Sequence, residues 1–169
     1  MRTDNKLDSY IELVKLSNMD IQEFKSQIKP RTAILGFDYG DKRLGVALSD
    51  LLRMVATSQK TIFRTNLKDD IAQISKIVEE REVGGIVYGL PLQMNGEEGE
   101  TAAKVRQFAN EVYKRIPLPY TFWDERLSSR AMENFLVQQI DMSRAKRKQV
   151  LDSSSAAYIL QGFLDAISR

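Results

Sequence analysis

The stretch that decides the fold is Ile34-Leu-Gly-Phe-Asp-Tyr-Gly-Asp-Lys-Arg-Leu-Gly-Val-Ala-Leu-Ser-Asp50. Two apolar segments, 34–37 and 44–48, flank a polar turn, which predicts a strand, a tight turn and a second strand. Asp38 is the unusual residue of this hairpin, because it ends a run of the buried type. A carboxylate there is costly unless a cation lies against it. A turn-capping aspartate is the alternative explanation at this point.

The composition limits the chemistry that the chain can perform. Its 169 residues favour one domain, and a net charge of +2 means that nucleic acid would have to be recognised by local basic patches. Because the chain has no Cys and no His, it lacks thiolate and imidazole metal ligands and a Ser-His-Asp triad. Carboxylates, Lys, Arg, hydroxyls and hard cations remain. No apolar run approaches membrane-spanning length, so we expect a cytoplasmic protein without a membrane partner.

The rest of the chain predicts an α/β sheet that follows a helical appendage. Residues 1–30 are typical of two short amphipathic helices, which we expect to pack on the domain; a partner-binding arm is the alternative. Further strands are predicted at about 54–64, 86–91 and 120–123. Further helices are predicted to start at residue 66 or 69 and to span about 101–115, 127–140 and 152–164. A basic loop at about 141–149 separates the last two helices.

Three acidic positions stand at the ends of predicted elements. Asp38 follows the first strand, Asp124 or Glu125 follows the fifth, and Asp152 starts the last helix. Strand ends and helix N-termini collect at one edge of a parallel-type sheet, where such acids would repel one another unless Mg²⁺ or Mn²⁺ bound them. Such ions support phosphodiester cleavage. Because neighbouring strand residues face opposite sides, only one of Asp124 and Glu125 can share a site with Asp38.

Each acid also has an ordinary explanation: a turn residue at Asp38, an ion pair of Asp124 with Arg126, and a helix cap at Asp152. Basic side chains near the acids are candidates for phosphate contacts. They are Lys42, Arg43, Arg126, Arg144, Lys146, Arg147 and Lys148. The last four fall in the predicted basic loop, where solvated charges are the alternative.

Four motifs in order resemble the YqgF family of pre-16S rRNA nucleases, which is also described as Holliday-junction-resolvase-like. They are Gly36-Phe-Asp-Tyr-Gly-Asp-Lys-Arg-Leu-Gly-Val-Ala-Leu-Ser-Asp50, Gly89-Leu-Pro-Leu-Gln-Met-Asn-Gly96, Asp124-Glu-Arg-Leu-Ser128, and Asp152-Ser-Ser-Ser-Ala-Ala157 with Ile159-Leu-Gln161. The resemblance implies a ribonuclease-H-like α/β fold, with a five-stranded mixed sheet in the order 3-2-1-4-5 and helices on both faces. It makes residues 31–169 the nuclease domain and residues 1–30 an N-terminal helical extension.

The resemblance also implies metal-dependent phosphodiester hydrolysis in the 5′-end maturation of 16S rRNA. It assigns Asp38, Glu125 and Asp152 as catalytic acids and ligands of Mg²⁺ or Mn²⁺, with Asp124 as the substitute for Glu125. The implied partners are precursor rRNA, branched DNA and a ribosomal particle, with the chain a monomer or dimer. The alternatives are a Holliday-junction resolvase, a non-catalytic RNA-binding module, and an actin-like or sugar-kinase ATPase, which would need two such domains.

Overall fold

The computed structural model describes residues 19–127 and 144–168, except for the side chains of residues 144–154. The strands of this part of the chain are β1 (Ala33–Tyr39), β2 (Arg43–Ser49), β3 (Ala56–Ser58), β4 (Ile62–Phe63), β5 (Val83–Leu90) and β6 (Tyr120–Asp124). The helices are α1 (Ile21–Gln27), α2 (Leu67–Glu80), α3 (Glu100–Tyr113) and α4 (Arg144–Ile167). Residues 125–127 are also helical. The rest of the helix predicted at 127–140 and the first predicted N-terminal helix lie outside the described residues.

The strands form one mixed sheet in the order β3-β2-β1-β5-β6, with β4 also paired to β2. β1 runs antiparallel to β2 and parallel to β5, and β5 runs parallel to β6. The predicted third strand is split in two. Ala47 pairs with Ser58 and Leu44 pairs with Ile62, so that two residues of β2 stand opposite three residues between β3 and β4. One extra residue therefore interrupts the ladder, while the predicted order of the sheet is kept.

Helices cover both faces of the sheet, as expected. On one face Phe37 and Phe122 pack against Tyr88, and Tyr88 contacts Phe108 of α3. The other face carries α1 and α4, which meet through the ring of Phe24 and that of Phe163 at 5.5 Å. The burial of aromatic side chains on both faces supplies much of the core.

Helix α1 is capped by Asp20, whose carboxylate accepts a hydrogen bond from the backbone N–H of Glu23, as the side chain of an N-cap residue typically does. Phe24 of this helix is fully buried, and Met19 and Ile28 on either side of it are buried as well. Residues 19–28 therefore belong to the packed body of the protein. Residues 1–18 lie outside the described range, so the extension as a whole stays a prediction.

Two predicted boundaries are wrong. Strand β5 begins at Val83 rather than at residue 86, so Gly84 and Gly85 lie within the strand. A Cβ on Gly85 would lie 2.7 Å from Phe24 of α1, so the absence of a side chain at this position lets α1 pack closely against the strand. The predicted basic loop, which holds Arg144, Lys146, Arg147 and Lys148, has the backbone of α4 instead.

The reason for the second error is that Arg, Lys, Ala and Gln are good helix formers even where no apolar pattern marks a helix. As a consequence, Asp152 lies inside α4 and is not at its start.

The side chain of Arg64 connects the β1–β2 hairpin to the helices of the α3 face. Its Nε donates to Oδ2 of Asp70 in α2 at 3.0 Å, and its Nη1 donates to the carbonyl oxygen of Gly40 at 3.0 Å. The guanidinium also stacks over the rings of Tyr39 and Phe108, at 4.6 and 4.9 Å. These contacts fix the turn that follows Asp38.

None of the helices in the described ranges is long and apolar enough to span a membrane.

Candidate active site

Asp38 lies near the carboxyl end of β1, on the face of the sheet that α4 covers. It pairs with Gly45 of β2, where a Cβ would lie 3.2 Å from the Cβ of Asp38 and 3.4 Å from that of Ala156 in α4. A Cβ on Gly36 would lie only 2.8 Å from the Cβ of Leu160. The absence of side chains at these two glycines lets α4 come close to the backbone beside Asp38.

Helix α4 also holds the carboxylate of Asp38 directly. The hydroxyl of Ser155 donates a hydrogen bond to Oδ2 of Asp38 at 2.5 Å, between residues that are 117 positions apart in the chain. This bond fixes the orientation of the carboxylate. Ser155 stands in one of the four motifs, but no role was predicted for it. Its position in the run Asp152-Ser-Ser-Ser-Ala-Ala157 could have identified it, because small polar residues stand there where a packed helix usually carries apolar ones.

Glu125 is the second acid on this face. It follows β6 directly, and a Cβ on Gly89 of β5 would lie 2.7 Å from its Oε1, so its carboxylate reaches over the strand that separates β6 from β1. Burial, and after it the negative charges of Asp38 and Asp124, together raise the pKa of Glu125 to about 7. Asp38 and Glu125 therefore act on each other electrostatically within a poorly solvated region.

Asp124 has a different environment. Its carboxylate accepts hydrogen bonds from the Nε and Nη2 of Arg126, the shorter at 2.7 Å, and from the backbone N–H of the same residue. These bonds lower the pKa of Asp124. Arg126 also lies 3.4 Å from the carbonyl oxygens of Gln93 and Met94. The structure thus separates the two adjacent acids: Asp124 pairs with an arginine, whereas Glu125 lies toward Asp38.

The remaining predicted site residues are placed only in part. The backbone of Asp152 lies one helical turn before Ser155, on the same side of α4, and its side chain is outside the described set. The same holds for the side chains of Arg144, Lys146, Arg147 and Lys148. Lys42 and Arg43 are exposed at the turn and at the start of β2.

The described side chains include no group of three acids that could hold a metal ion. Among the described side chains of this face, Asp38 and Glu125 provide carboxylate oxygens, the donors that hard divalent cations prefer. A cation at this point would also relieve the repulsion that raises the pKa of Glu125. The chemistry of the two residues therefore fits a divalent metal ion.

Comparison with known proteins identifies the family. The family model described as "RuvX: Holliday junction resolvase" matches residues 32–166. The chain belongs to the RuvX family. A RuvX relative from Ruegeria pomeroyi, named "Putative pre-16S rRNA nuclease", is 44% identical over 147 residues, which are 87% of this chain and 95% of the relative. A relative of the same name from Phenylobacterium zucineum is 42% identical over 150 residues, 88% of this chain and 96% of its own length.

Solved structures with low sequence identity share the fold of this RuvX chain. RuvC of T. thermophilus, in complex with a Holliday junction substrate, has a TM-score of 0.50 at 9% identity and covers 81% of this chain and 96% of its own. The yeast mitochondrial Holliday junction resolvase Ydc2 has a TM-score of 0.50 at 12% identity, with 93% and 91% covered. The ribonuclease-H-like fold is thus confirmed. As a RuvX family member with this fold, the chain is a nuclease, a hydrolase that acts on phosphodiester bonds.

Proposed function

We propose that the chain is a divalent-metal-dependent nuclease that cleaves precursor 16S rRNA during maturation of its 5′ end. In this proposal Asp38, Glu125 and Asp152 are the catalytic acids and the ligands of Mg²⁺ or Mn²⁺. The observation that carries it is that the carboxylates of Asp38 and Glu125 lie on the same face of the sheet, Asp38 held by Ser155 of α4 and Glu125 packed over Gly89 of β5. Two carboxylates that repel each other on a helix-covered face are poorly placed for stability and well placed for a cation.

The side chains prepare this site in three ways. Ser155 holds Oδ2 of Asp38, so that the carboxylate keeps one orientation. The close packing over Gly89 places the Glu125 carboxylate above β5. Arg126 engages Asp124, so Glu125 is the acid that we assign to the site. A divalent ion bound there would supply the activation of water and the stabilisation of the leaving oxygen.

The proposed substrate follows from the names of the relatives and from charge. Proteins that are 42–44% identical to this chain are named as pre-16S rRNA nucleases, which supports rRNA as the substrate. Lys42 and Arg43 are exposed beside the hairpin turn that follows Asp38, where they could contact phosphates. We propose Arg126 and the basic segment 144–148 as further phosphate contacts. The protein would then act in the cytoplasm on a ribosomal precursor particle.

Cleavage of a precursor rRNA fragment by the purified full chain in Mn²⁺ tests this function. We expect the wild type to cleave and D38N and E125Q to be inactive, each with an unchanged circular dichroism spectrum. D41N is the matched control, because Asp41 is an exposed acid of the same hairpin that pairs with Lys104. It should cleave like the wild type. No cleavage by the wild type, or equal cleavage by D38N, would reject the proposal.

Resolution of Holliday junctions is the second candidate function, because the matching family model carries that description. A four-way DNA junction in the same assay separates the two candidates. Cleavage of the junction without cleavage of the rRNA fragment would favour a resolvase. Metal-independent RNA binding without any cleavage would favour a non-catalytic RNA-binding module.

A further inference from the structure

An exposed aromatic side chain lies at the same end of the sheet as Asp38. Phe63 of β4 is 63% exposed, whereas its neighbour Ile62 is 3% exposed. The guanidinium of Arg43 lies over the Phe63 ring, 5.6 Å from its centroid. A phenylalanine this exposed contributes little to the core, and the part of the ring that Arg43 does not cover is accessible to a ligand.

The register of the sheet places this ring on the face of the candidate active site. Phe63 is the direct partner of Arg43, so both side chains point to the same face. Arg43 precedes Gly45 by two residues, and Gly45 is the partner of Asp38. Because strand residues alternate between faces with a period of two, Phe63, Arg43 and Asp38 all belong to one face.

The separation between the ring and the acid suits a polynucleotide. Two residues along β2 and two strand spacings across the sheet separate Phe63 from Asp38, which corresponds to about 12 Å between their backbones. An OB fold, which is one domain that binds single strands, covers about 4–16 nucleotides, so one strand is long enough to occupy both places.

Positive charge lies close to Phe63 along both segments. Arg43 is its direct partner, Lys42 precedes Arg43 in the hairpin turn, and Lys60 lies two residues before β4; all three are exposed. Asp41 is the acid of this turn, and Lys104 pairs with it at 3.2 Å. Arg64, next to Phe63, instead turns inward to Asp70. Cations beside an exposed aromatic ring are the combination with which proteins bind unpaired nucleotides.

We propose that Phe63 and Arg43 form a base-stacking site, at which an unpaired base of the substrate stacks on the phenyl ring while Arg43 and Lys42 contact the adjoining phosphates. This inference rests on the proposed nuclease function and adds a requirement to it, namely that the strand is unpaired a short distance from the cleaved bond. A base within a duplex has no free face for the ring, so the site selects single-stranded segments.

Binding in EDTA tests the stacking site without cleavage. The probe is a short single-stranded RNA that contains a fluorescent adenine analogue, and the same RNA annealed to its complement serves for comparison. Base–aromatic stacking predicts that F63L weakens single-strand binding by about 5- to 150-fold and removes the stacking-induced change in fluorescence. F63W, which keeps an aromatic face, should bind like the wild type. L52A is the matched control, because Leu52 is an apolar residue that is 77% exposed in the β2–β3 loop.

The stacking site is refuted if the wild type does not bind the single strand, if F63L binds as tightly as the wild type, or if F63L weakens duplex and single-strand binding equally. These outcomes are independent of the nuclease assay. Cleavage by the wild type together with normal binding by F63L would reject the stacking site alone. A selective loss of binding in F63L together with an inactive wild type would reject the nuclease function alone.

Discussion

Replacement of Glu125 by Gln should stabilise the metal-free protein at alkaline pH and abolish cleavage. Burial first, and then the charges of Asp38 and Asp124, raise the pKa of Glu125 from its ordinary value of 4.5 to about 7. The folded state therefore binds this proton more tightly than the unfolded chain does. The stability that the protonated carboxyl contributes is fully present below pH 4.5 and is lost as the pH rises through about 7.

The size of the effect follows from the difference between the two pKa values. A rise from 4.5 to about 7 corresponds to about 3 kcal/mol, because each pKa unit represents about 1.4 kcal/mol. Since the side chain of Glu125 keeps some contact with solvent, we expect E125Q to gain about 2 kcal/mol at about pH 8. For a domain of this size, that gain corresponds to an increase of about 4–8 °C in Tm. At about pH 4 the gain should vanish.

Urea unfolding in EDTA, at about pH 8 and about pH 4, measures this difference. E97Q is the control, because Glu97 is an exposed glutamate ahead of α3, and it should match the wild type at both pH values. Mn²⁺ should then stabilise the wild type much more than E125Q. An E125Q variant less stable than the wild type at the higher pH, or equally stabilised at both pH values, would contradict a raised pKa at Glu125.

Three other substitutions test the packing around the site. S155A removes the hydroxyl that orients Asp38 and should weaken Mn²⁺ binding by about 10-fold or more in calorimetry, with little change in urea stability. G89A places a methyl group 2.7 Å from the Glu125 carboxylate, so it should cost about 1–3 kcal/mol in urea unfolding and lower the cleavage rate. D70N leaves a partly buried guanidinium without its charge partner at 3.0 Å and should cost about 3–5 kcal/mol in the same unfolding assay.

For each substitution, one result would contradict the contact that it tests. Unchanged Mn²⁺ affinity in S155A would mean that the hydroxyl does not position a metal ligand. A fully stable and active G89A would mean that Glu125 is free to move away from β5. Wild-type stability in D70N would mean that the buried ion pair is dispensable.

The local sequence pattern was sufficient to predict most strands of the sheet and the start of α2. Two apolar segments around a polar turn predicted the β1–β2 hairpin. Of the two predicted starts of α2, the structure confirms Asn66, whose side chain accepts a hydrogen bond from the backbone N–H of Asp69. The start of α4 was missed because its first residues carry charges rather than an apolar face. The break between β3 and β4 was missed because one extra residue in a ladder leaves no compositional trace.

The candidate site depends on contacts that no local pattern contains. Alternation predicts that only one of Asp124 and Glu125 can share a face with Asp38, but only the three-dimensional contacts show that this acid is Glu125. Ser155 contacts Asp38 across 117 residues, and a serine within a serine run gives no indication of its partner. The exposure of Phe63 also depends on the fold. A Phe in a strand is ordinarily expected to be buried, but Phe63 lies at the end of the sheet and is left exposed.

Manganese located by anomalous scattering in crystals of the full chain would show whether the acids share a metal ion. We expect Mn²⁺ bound by carboxylate oxygens of Asp38 and Glu125, with Asp152 as a further ligand, at oxygen–metal distances of about 2.1–2.2 Å. Crystals of E125Q grown in the same solution should show a weaker peak or none. Manganese bound elsewhere, with Asp38 and Glu125 directed away from each other, would contradict the assignment of this face as the catalytic site.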